Sequence, residues 1–401
     1  MRIAAVLDNR LSAGGGYHQA INAIDQMRRL CSGRYEFLVA TRFRENLPVL
    51  EALGLRAVHI RRDWTERWLI AASMNGLLRE AQARLGLTSA LERTLEGMGV
   101  DLLYFVTPSR RCLALRRLNY VATVWDLSHR DQPEFPEVRA NDEFLVREEL
   151  YRNTLAQAIC VLCDSTQLAR RISERYGVDA ARLLPMPFAP SPFLNESTSA
   201  PTPEVLQRHQ LRPGYLFYPA QFWAHKNHIR ILQCLALLKA GGKTPQLVLC
   251  GKDYGVLEYL RATAVRLGVQ EQVRFLGFVE SADLRGLYEG CGAVVMPTYF
   301  GPTNLPPLEA WSAGKPLIYS AGIGEQVGDA ALLVDPDAAE DLALAVASLD
   351  DPQRVSALVE RGYARLREIA AERAAAEREL CLVLKRFEAR RDCWRATDRP
   401  R

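Results

Sequence analysis

Two stretches of this sequence put small residues, a cation and a carboxylate where phosphate chemistry could be done. The first is residues 294–315, Val-Val-Met-Pro-Thr-Tyr-Phe-Gly-Pro-Thr-Asn-Leu-Pro-Pro-Leu-Glu-Ala-Trp-Ser-Ala-Gly-Lys. An apolar run from Ala293 to Met296 ends at Pro297, as a buried strand would. Gly301, Pro302, Thr303 and Asn304 make a polar loop, and Leu308, Ala310, Trp311 and Ala313 open a short helix that stops at Gly314. Strand, small-residue loop and helix start together aim free backbone N–H groups at an anion, with the positive end of a helix dipole worth roughly half a charge. Glu309 lies in the first turns of that helix, where it could face the same ligand. An ordinary strand-to-helix turn of an α/β sheet has the same pattern.

The second stretch is Tyr218-Pro-Ala-Gln221-Phe-Trp-Ala-His225-Lys226-Asn227-His228. It follows a strand and opens a helix with Ile231, Leu232, Leu235 and Leu238 on one side and Gly241-Gly242 at its end. Lys226 in the first helical turn is unfavourable for the dipole unless an anion sits there. A lysine–phosphate hydrogen bond is worth ~1.5–3 kcal/mol. Cys250-Gly251-Lys252-Asp253 also follows a strand and could wall the same site. His225 and His228 could be a metal pair, but no third ligand is adjacent.

Two further loops leave strand ends, where open α/β sheets bind ligands. Val124-Trp-Asp126-Leu-Ser-His129 offers Asp126 and His129 as proton acceptors, with helix capping as the competing reading of the carboxylate. Gly14 to Gly16, after the first strand, remove side chains where a phosphate or another backbone comes close, or simply make a tight turn.

Composition bounds the rest. The chain has 401 residues, 48% hydrophobic and 24% charged, and a net charge of +4. That length suits two α/β cores, and the charge is too small to argue for nucleic acid. Nine cysteines, mostly in apolar runs, suggest a reducing compartment. Cys160-Val-Leu-Cys163 lies in a strand-like run with no second pair nearby and reads as core. The N-terminus starts directly on a strand-like run, unlike a signal peptide, and no apolar run nears the ~20 residues that span a bilayer. The expectation is a cytoplasmic protein. Trp64, Trp68, Arg61, Arg62 and Arg67 leave open a peripheral contact with the inner face of a membrane, against the plainer reading of a half-buried helix.

Strand patterns at 3–7, 35–40, 57–60, 102–105, 120–124 and 158–163 alternate with helical ones and predict a parallel sheet. A Pro- and Ser/Thr-rich stretch, 185–212, reads as a linker. A second α/β pattern follows, with strands near 215–218, 246–250, 273–276, 293–296, 316–319 and 331–334. The Ala-, Glu- and Arg-rich end from Pro352 to Arg391 predicts a helix with Leu366, Ile369, Leu380, Val383, Leu384 and Phe387 on one face.

Taken in order, these motifs resemble the family-four retaining glycosyltransferases. The likeness rests on Gly14 to Gly16, the Gln221-to-Lys226 spacing, Val273-Arg-Phe-Leu-Gly-Phe-Val279, Phe300 to Glu309, and Gly328-Asp-Ala-Ala-Leu-Leu-Val-Asp-Pro336. It implies an α/β fold of GT-B type: two Rossmann-like parallel-sheet domains facing across a cleft, with a C-terminal helix packing back. Residues 1–195 would form an acceptor-binding domain, 205–365 a nucleotide-sugar-binding domain, and 366–401 the returning helix. The resemblance places Glu309 on the donor's ribose and the backbone of Thr303, Asn304 and Leu305 at its diphosphate, beside Lys226. It sets Gln221, Gly251, Lys252 and Phe278 around the donor, Phe278 near the base, and closes Gly15 and Gly16 over the phosphates. Asp126 or His129 would take the acceptor's proton.

The implied reaction is transfer of a hexose, GDP-mannose or a GDP-deoxyhexose being the first donor choice, to a hydroxyl of a growing, lipid-linked glycan. Its setting would be surface-polysaccharide assembly such as O-antigen or lipopolysaccharide. No cofactor and no metal is expected. The sequence departs from the family at Gln221, where an arginine is usual, and at Gly301, where a first glutamate is usual. Two look-alikes are set aside. Asp335-Pro-Asp337 follows a strand in a late turn, and in Gly322-Ile-Gly324-Glu-Gln-Val-Gly328 the last gap is one residue too long for a dinucleotide fingerprint. The remaining alternatives are a GT-B epimerase or hydrolase, and a nucleotide- or glycan-binding protein without transferase activity.

Overall fold

The computed structural model of the chain describes residues 1–10, 15–73, 86–191, 200–301 and 304–394. They fall into two compact units, one made of Met1–Asp131, Asn141–Pro187 and Glu372–Arg401, the other of Gln132–Ala140 and Phe188–Ala371.

The first unit holds seven parallel strands: β1 (Arg2–Leu7), β2 (Glu36–Thr41), β3 (Ala57–His59), β4 (Leu102–Phe105), β5 (Asn119–Val124), β6 (Cys160–Cys163) and β7 (Leu183–Pro185), in the order 3-2-1-4-5-6-7. The second holds six: β8 (Leu216–Pro219), β9 (Leu247–Cys250), β10 (Val273–Gly277), β11 (Ala293–Met296), β12 (Leu317–Ser320) and β13 (Leu332–Val334), in the order 10-9-8-11-12-13. Both orders are doubly wound. The direction of winding reverses between β1 and β4 in one sheet and between β8 and β11 in the other, and ligands bind outside the carboxyl ends at such points.

Continuous apolar runs form these strands because both faces of each sheet are covered. In β1, Ala4 and Val6 pack on one side with Leu38, Leu103 and Phe105, while Ile3, Ala5 and Leu7 pack on the other with Val39, Leu102 and Tyr104. Cys160 and Cys163 take opposite faces of β6 for the same reason, both as buried free thiols. That separation rules out a shared metal or disulfide for the pair.

Two features depart from the sequence reading. The edge strand β7, absent from the sequence reading, has three residues and ends in Pro185, where the expected linker begins; proline is a residue that edges tolerate. Part of the same stretch folds as a helix, Thr202–Arg208, with Val205 and Leu206 seated where Gly286 and Gly290 of the helix Ser281–Gly290 leave room.

The terminal helix runs unbroken from Pro352 to Arg391. Its Leu366 and Ile369 join the core of the second unit, while Ala376, Leu380, Leu384 and Phe387 join one core face of the first. Gly362 lies flush against the buried Trp311, where a Cβ would fall 2.4 Å from the indole Cδ1.

Candidate active site

The loops leaving β8, β9, β11 and β12 gather at the carboxyl end of the second sheet. After β8 the chain makes a 3-10 turn, Ala224–Lys226, and then Asn227 turns left-handed at φ 56° before the helix His228–Ala240 begins. Lys226 therefore precedes the helix and does not sit in its first turn, which corrects the sequence reading. The cause is Asn227. Its buried amide donates to the carbonyls of Pro297 (3.0 Å) and Pro336 (2.8 Å), which holds the αL conformation that asparagine tolerates. His225 presents its carbonyl to Tyr299 N–H (2.9 Å) and Thr298 Oγ1 (3.2 Å), joining this loop to the one after β11.

Across the β8/β11 reversal, Lys226 Nζ reaches Asn304 Oδ1 at 3.3 Å. Asn304 occupies the N-cap position of the helix Leu305–Ser312, without a side-chain capping bond. Its Nδ2 donates to Gly301 O (2.8 Å) and Tyr319 Oη (2.7 Å), and its backbone exchanges two 2.8 Å hydrogen bonds with the Gln326 amide. Gly301 has φ 105°, and a Cβ there would come within 2.9 Å of Asn304 Oδ1. The missing first glutamate thus has a steric counterpart: the Asn304 carboxamide fills the space that a side chain at 301 would enter. Asn304 N–H is taken by Gln326 and Pro306 and Pro307 carry none, so Leu305 supplies the first backbone N–H of that helix. Thr303 lies outside the described residues.

Glu309 is 6% exposed and turned inward. Its Oε1 accepts from Ser191 Oγ and its Oε2 from Tyr288 Oη at 2.5 Å. Burial raises its pKa above the ordinary range, against the opposing pull of the Ser191 and Tyr288 hydrogen bonds. Each carboxylate oxygen keeps a second lone pair, so two accepted bonds do not exhaust Glu309.

Around this centre, Gly251 packs so tightly on the Ala220–Gln221 backbone that a Cβ would lie 2.3 Å from Ala220 O. The loop after β9 then runs beside the loop after β8: Trp223 stacks on Tyr254 with ring centroids 3.9 Å apart, Gln221 Oε1 accepts from Trp223 Nε1 (3.0 Å), and Lys252 Nζ stands 5.7 Å over the Tyr254 ring. Phe278, past β10, is 53% exposed. His228 packs between Tyr218 and Phe222, and burial lowers its pKa to about 3, so it stays neutral. Among the described residues no three metal-ligating side chains converge.

Sequence reasoning missed Glu137. The segment Gln132–Ala140 stands in the sequence among elements of the first unit yet groups with the second. Glu137 Oε1 accepts from His225 N–H at 2.9 Å and from His225 Nδ1, while His225 stacks on Phe300 at 3.9 Å. Phe135 packs against both Tyr299 and Phe300, and Gln132 Nε2 donates to Tyr299 O (3.1 Å). Burial works against the Glu137 charge, but the His225 hydrogen bonds prevail and its pKa falls below the usual value. The available signal was Phe135 held between Pro133 and Pro136 in an otherwise polar loop.

In the first unit, Asp126 accepts from Ser128 N–H (2.8 Å) and Arg147 Nη2 (2.7 Å). Burial opposes its charge, yet Arg147 and Ser128 outweigh burial and its pKa is lowered, which makes it a reluctant base. His129 is fully enclosed. Its Nε2 lies 3.0 Å from Glu148 Oε1, and burial lowers its pKa to about 4. An imidazole so enclosed braces the Glu148 network and presents no exposed nitrogen. Gly15 opens the helix Gly15–Cys31; a Cβ on Gly16 would meet nothing within 4 Å in this chain, and Gly14 lies outside the described residues.

Comparison with known proteins follows the same division. The profile of glycosyl transferases group 1 matches residues 206–365. O-antigen chain mannosyltransferase B of Escherichia coli is 27% identical over 242 residues, 59% of this chain and 64% of that protein. Glycogen synthase of Mycobacterium tuberculosis is 27% identical over 221 residues, 54% of this chain and 49% of that one. The chain thus spans less than two thirds of these curated relatives. Among solved structures, Anabaena Alr3699/HepE in complex with UDP and glucose superposes with a TM-score of 0.68 at 16% identity, covering 95% of this chain and 99% of that one. WaaG, a glycosyltransferase involved in lipopolysaccharide biosynthesis, gives 0.67 at 16% identity, covering 94% and 98%. Residues 206–365, within the second unit, thus match the model of glycosyl transferases group 1, and the pair of Rossmann-like parallel sheets gives the chain the GT-B fold.

Proposed function

We propose that the chain is a retaining hexosyltransferase that moves a sugar from a nucleotide diphosphate to a hydroxyl of a growing, lipid-linked glycan. The observation that carries this reading is the approach of Lys226 Nζ to Asn304 at the β8/β11 reversal, a cation beside a helix start on the ligand-binding end of the sheet. There the diphosphate meets the Lys226 ammonium and the Leu305 N–H at the start of the helix, the nucleoside lies towards Phe278, and Glu309 offers its remaining lone pairs to the ribose diol.

In this reading the acceptor oxygen bonds to the anomeric carbon on the face from which the diphosphate departs. The C–O bond to phosphate breaks, and the acceptor's proton passes to a leaving phosphate oxygen. That route needs no paired carboxylates, in keeping with Asp126 held as a salt-bridged anion and His129 enclosed. Lys226 and the helix start meet the leaving charge, so the reading requires no metal. The similarity to an O-antigen mannosyltransferase supports GDP-mannose as the first donor to try, and the solved relative with UDP and glucose supports UDP-glucose as the second.

A binding protein without turnover is the second reading, favoured by one observation: both Glu309 oxygens already accept hydrogen bonds from Ser191 and Tyr288. Incubation with each nucleotide sugar and a lipid-linked glycan acceptor, followed by NMR of the product's anomeric linkage, tests both. Product with the donor's configuration supports the transferase. Inverted product overturns retention, and nucleotide binding without product supports the second reading.

A further inference from the structure

The first unit contains a cavity of about 490 Å³ lined by Arg42, Arg61, Arg62, Arg67 and Arg110, with Ile70 on its apolar side. It stands at the carboxyl end of the sheet: Arg42 directly follows β2, Arg61 and Arg62 follow β3, Arg110 follows β4, and Arg67 comes from the helix Trp64–Ser73. This is the end at which an open parallel sheet receives ligands.

The charges there are unbalanced. Asp8 pairs with Arg42 (3.1 Å) and Arg62 (3.0 Å). The buried Glu66 is held by the buried Arg111 at 2.8 and 2.9 Å and shared with Arg62 at 3.3 Å. Asp63, the residue before the helix that carries Arg67, is taken by Arg93 at 2.6 Å. Among the described residues no carboxylate pairs with Arg61 or Arg67. Leaving Arg110 aside, five guanidiniums (42, 61, 62, 67 and 111) share two carboxylates, a surplus of three positive charges. Like charges so placed repel, and the effect is visible at Arg42: burial, against Asp8 and together with the Arg62 and Arg111 charges, lowers its pKa. Guanidiniums spread on a surface would avoid that repulsion; arginines drawn into one cavity relieve it only with an anion. Planar forks of donors fit phosphate oxygens two at a time.

From this geometry we infer that the arginine cavity binds a pyrophosphate or multiply phosphorylated group on the glycan acceptor. The inference rests on the transferase reading for the word acceptor, while the anion site stands on the first unit's own residues. The cavity would hold the acceptor by its phosphates and leave its sugar end free to react, so the protein selects phosphorylated carriers over neutral glycans.

Titration calorimetry of inorganic pyrophosphate against the full chain tests this. Lys226→Ala serves as the background, to remove the phosphate site proposed on the second unit. That chain should still bind pyrophosphate, more weakly as salt rises. Adding Arg61→Glu and Arg67→Glu, both exposed positions, should weaken binding by about tenfold or more per guanidinium. Arg67→Gln alone, a milder change, should show a smaller loss in the same direction. Pyrophosphate binding that is unchanged in these variants, or absent from the folded Lys226→Ala chain, overturns the inference.

Vesicles distinguish the source of the phosphate. Capture by phosphatidylcholine vesicles carrying a polyprenyl pyrophosphate, competed by free pyrophosphate, identifies a lipid-borne acceptor. Binding of a soluble sugar diphosphate without capture identifies a soluble one. Equal capture by phosphatidylglycerol vesicles that pyrophosphate does not compete overturns the cavity in favour of a general surface patch. Binding of GDP-mannose or UDP-glucose is read in parallel on the Arg61/Arg67 variants. Failure of nucleotide binding there and in the unaltered chain counts against the transferase reading and leaves the pyrophosphate result to stand by itself.

Discussion

Replacing Glu137 tests whether the segment 132–140 positions the donor loops. Its Oε1 is the acceptor for both the His225 N–H and the His225 ring nitrogen, and both side chains are close to nine-tenths buried. Glu137→Ala leaves two donors without their acceptor, at about 1–3 kcal/mol for each that stays dry. Limited water entry brings the sum to roughly 2–4 kcal/mol. For a unit of this size that corresponds to a loss of roughly 2–4 °C in Tm per kcal/mol, read by calorimetry. The loss falls on the turn that carries Lys226, because Lys226 is the next residue and the His225 carbonyl is what Thr298 and Tyr299 hold. If the competent arrangement of that turn drops to about a tenth of the population, the apparent nucleotide Kd rises about tenfold. Glu137→Gln keeps one acceptor oxygen and should recover about half of the stability and most of the affinity. A Glu137→Ala chain with unchanged Tm refutes the hydrogen-bond argument. Lowered Tm with unchanged nucleotide affinity refutes the positioning argument.

Other outcomes follow from the same geometry. Glu309→Gln should change the pH dependence of stability with a definite sign. The folded-state pKa of Glu309 is raised above 4.5, so the native protein holds the proton longer than the unfolded chain, and stability attributable to this group falls as pH rises from 4.5 through the folded value. The stability of the wild type minus that of Glu309→Gln, from denaturant melts, should fall across that window, and a difference independent of pH contradicts the buried-carboxylate account.

Glu148 has the opposite sign. Arg130, then Tyr176 and His129, depress its pKa against burial, so its contribution is present above 4.5 and lost as pH falls below it. Glu148→Gln should therefore be destabilised by several kcal/mol near neutrality, on the order of 3, and lose most of that deficit in acid. An equal deficit at both pH values counts against the network. Gly362→Ala, which in an open helix would gain up to about 1 kcal/mol, should instead lose about 1–3 kcal/mol against Trp311. A raised Tm refutes that contact.

Much of this arrangement could be read from the sequence because its cause is local. Apolar runs mark strands covered on both faces, and the twelve strand patterns have counterparts among the thirteen strands of the described residues. The exception, β7, runs Leu183–Pro185 straight into the proline-rich stretch that read as a linker, so its two leucines did not stand out as a strand. The loop chemistry was legible in residue type but not in direction. Glu309 was marked by its place after a small-residue loop, but nothing near it in sequence says that Ser191 and Tyr288 would turn it inward. His129 looked like a catalytic imidazole because it follows a strand end; the Glu148 and Tyr176 that enclose it come from distant helices. Segment 132–140 was illegible for the same reason, since its partners His225, Tyr299 and Phe300 lie far along the chain. The arginine cavity was half visible: Arg61, Arg62 and Arg67 are neighbours in sequence, while Arg42 and Arg110 are brought to them only by the sheet order.

The central claim is that a nucleotide diphosphate binds where Lys226 meets Asn304. Its most direct test is titration of GDP-mannose and of UDP-glucose into the wild-type chain and into Lys226→Ala, with the fold of each checked by circular dichroism. The wild type should bind at least one of them, and Lys226→Ala should weaken that binding by roughly 10- to 100-fold, the value of one charge-assisted phosphate contact. A folded wild type that binds neither, or a Lys226→Ala chain that binds as tightly as the wild type, would contradict it.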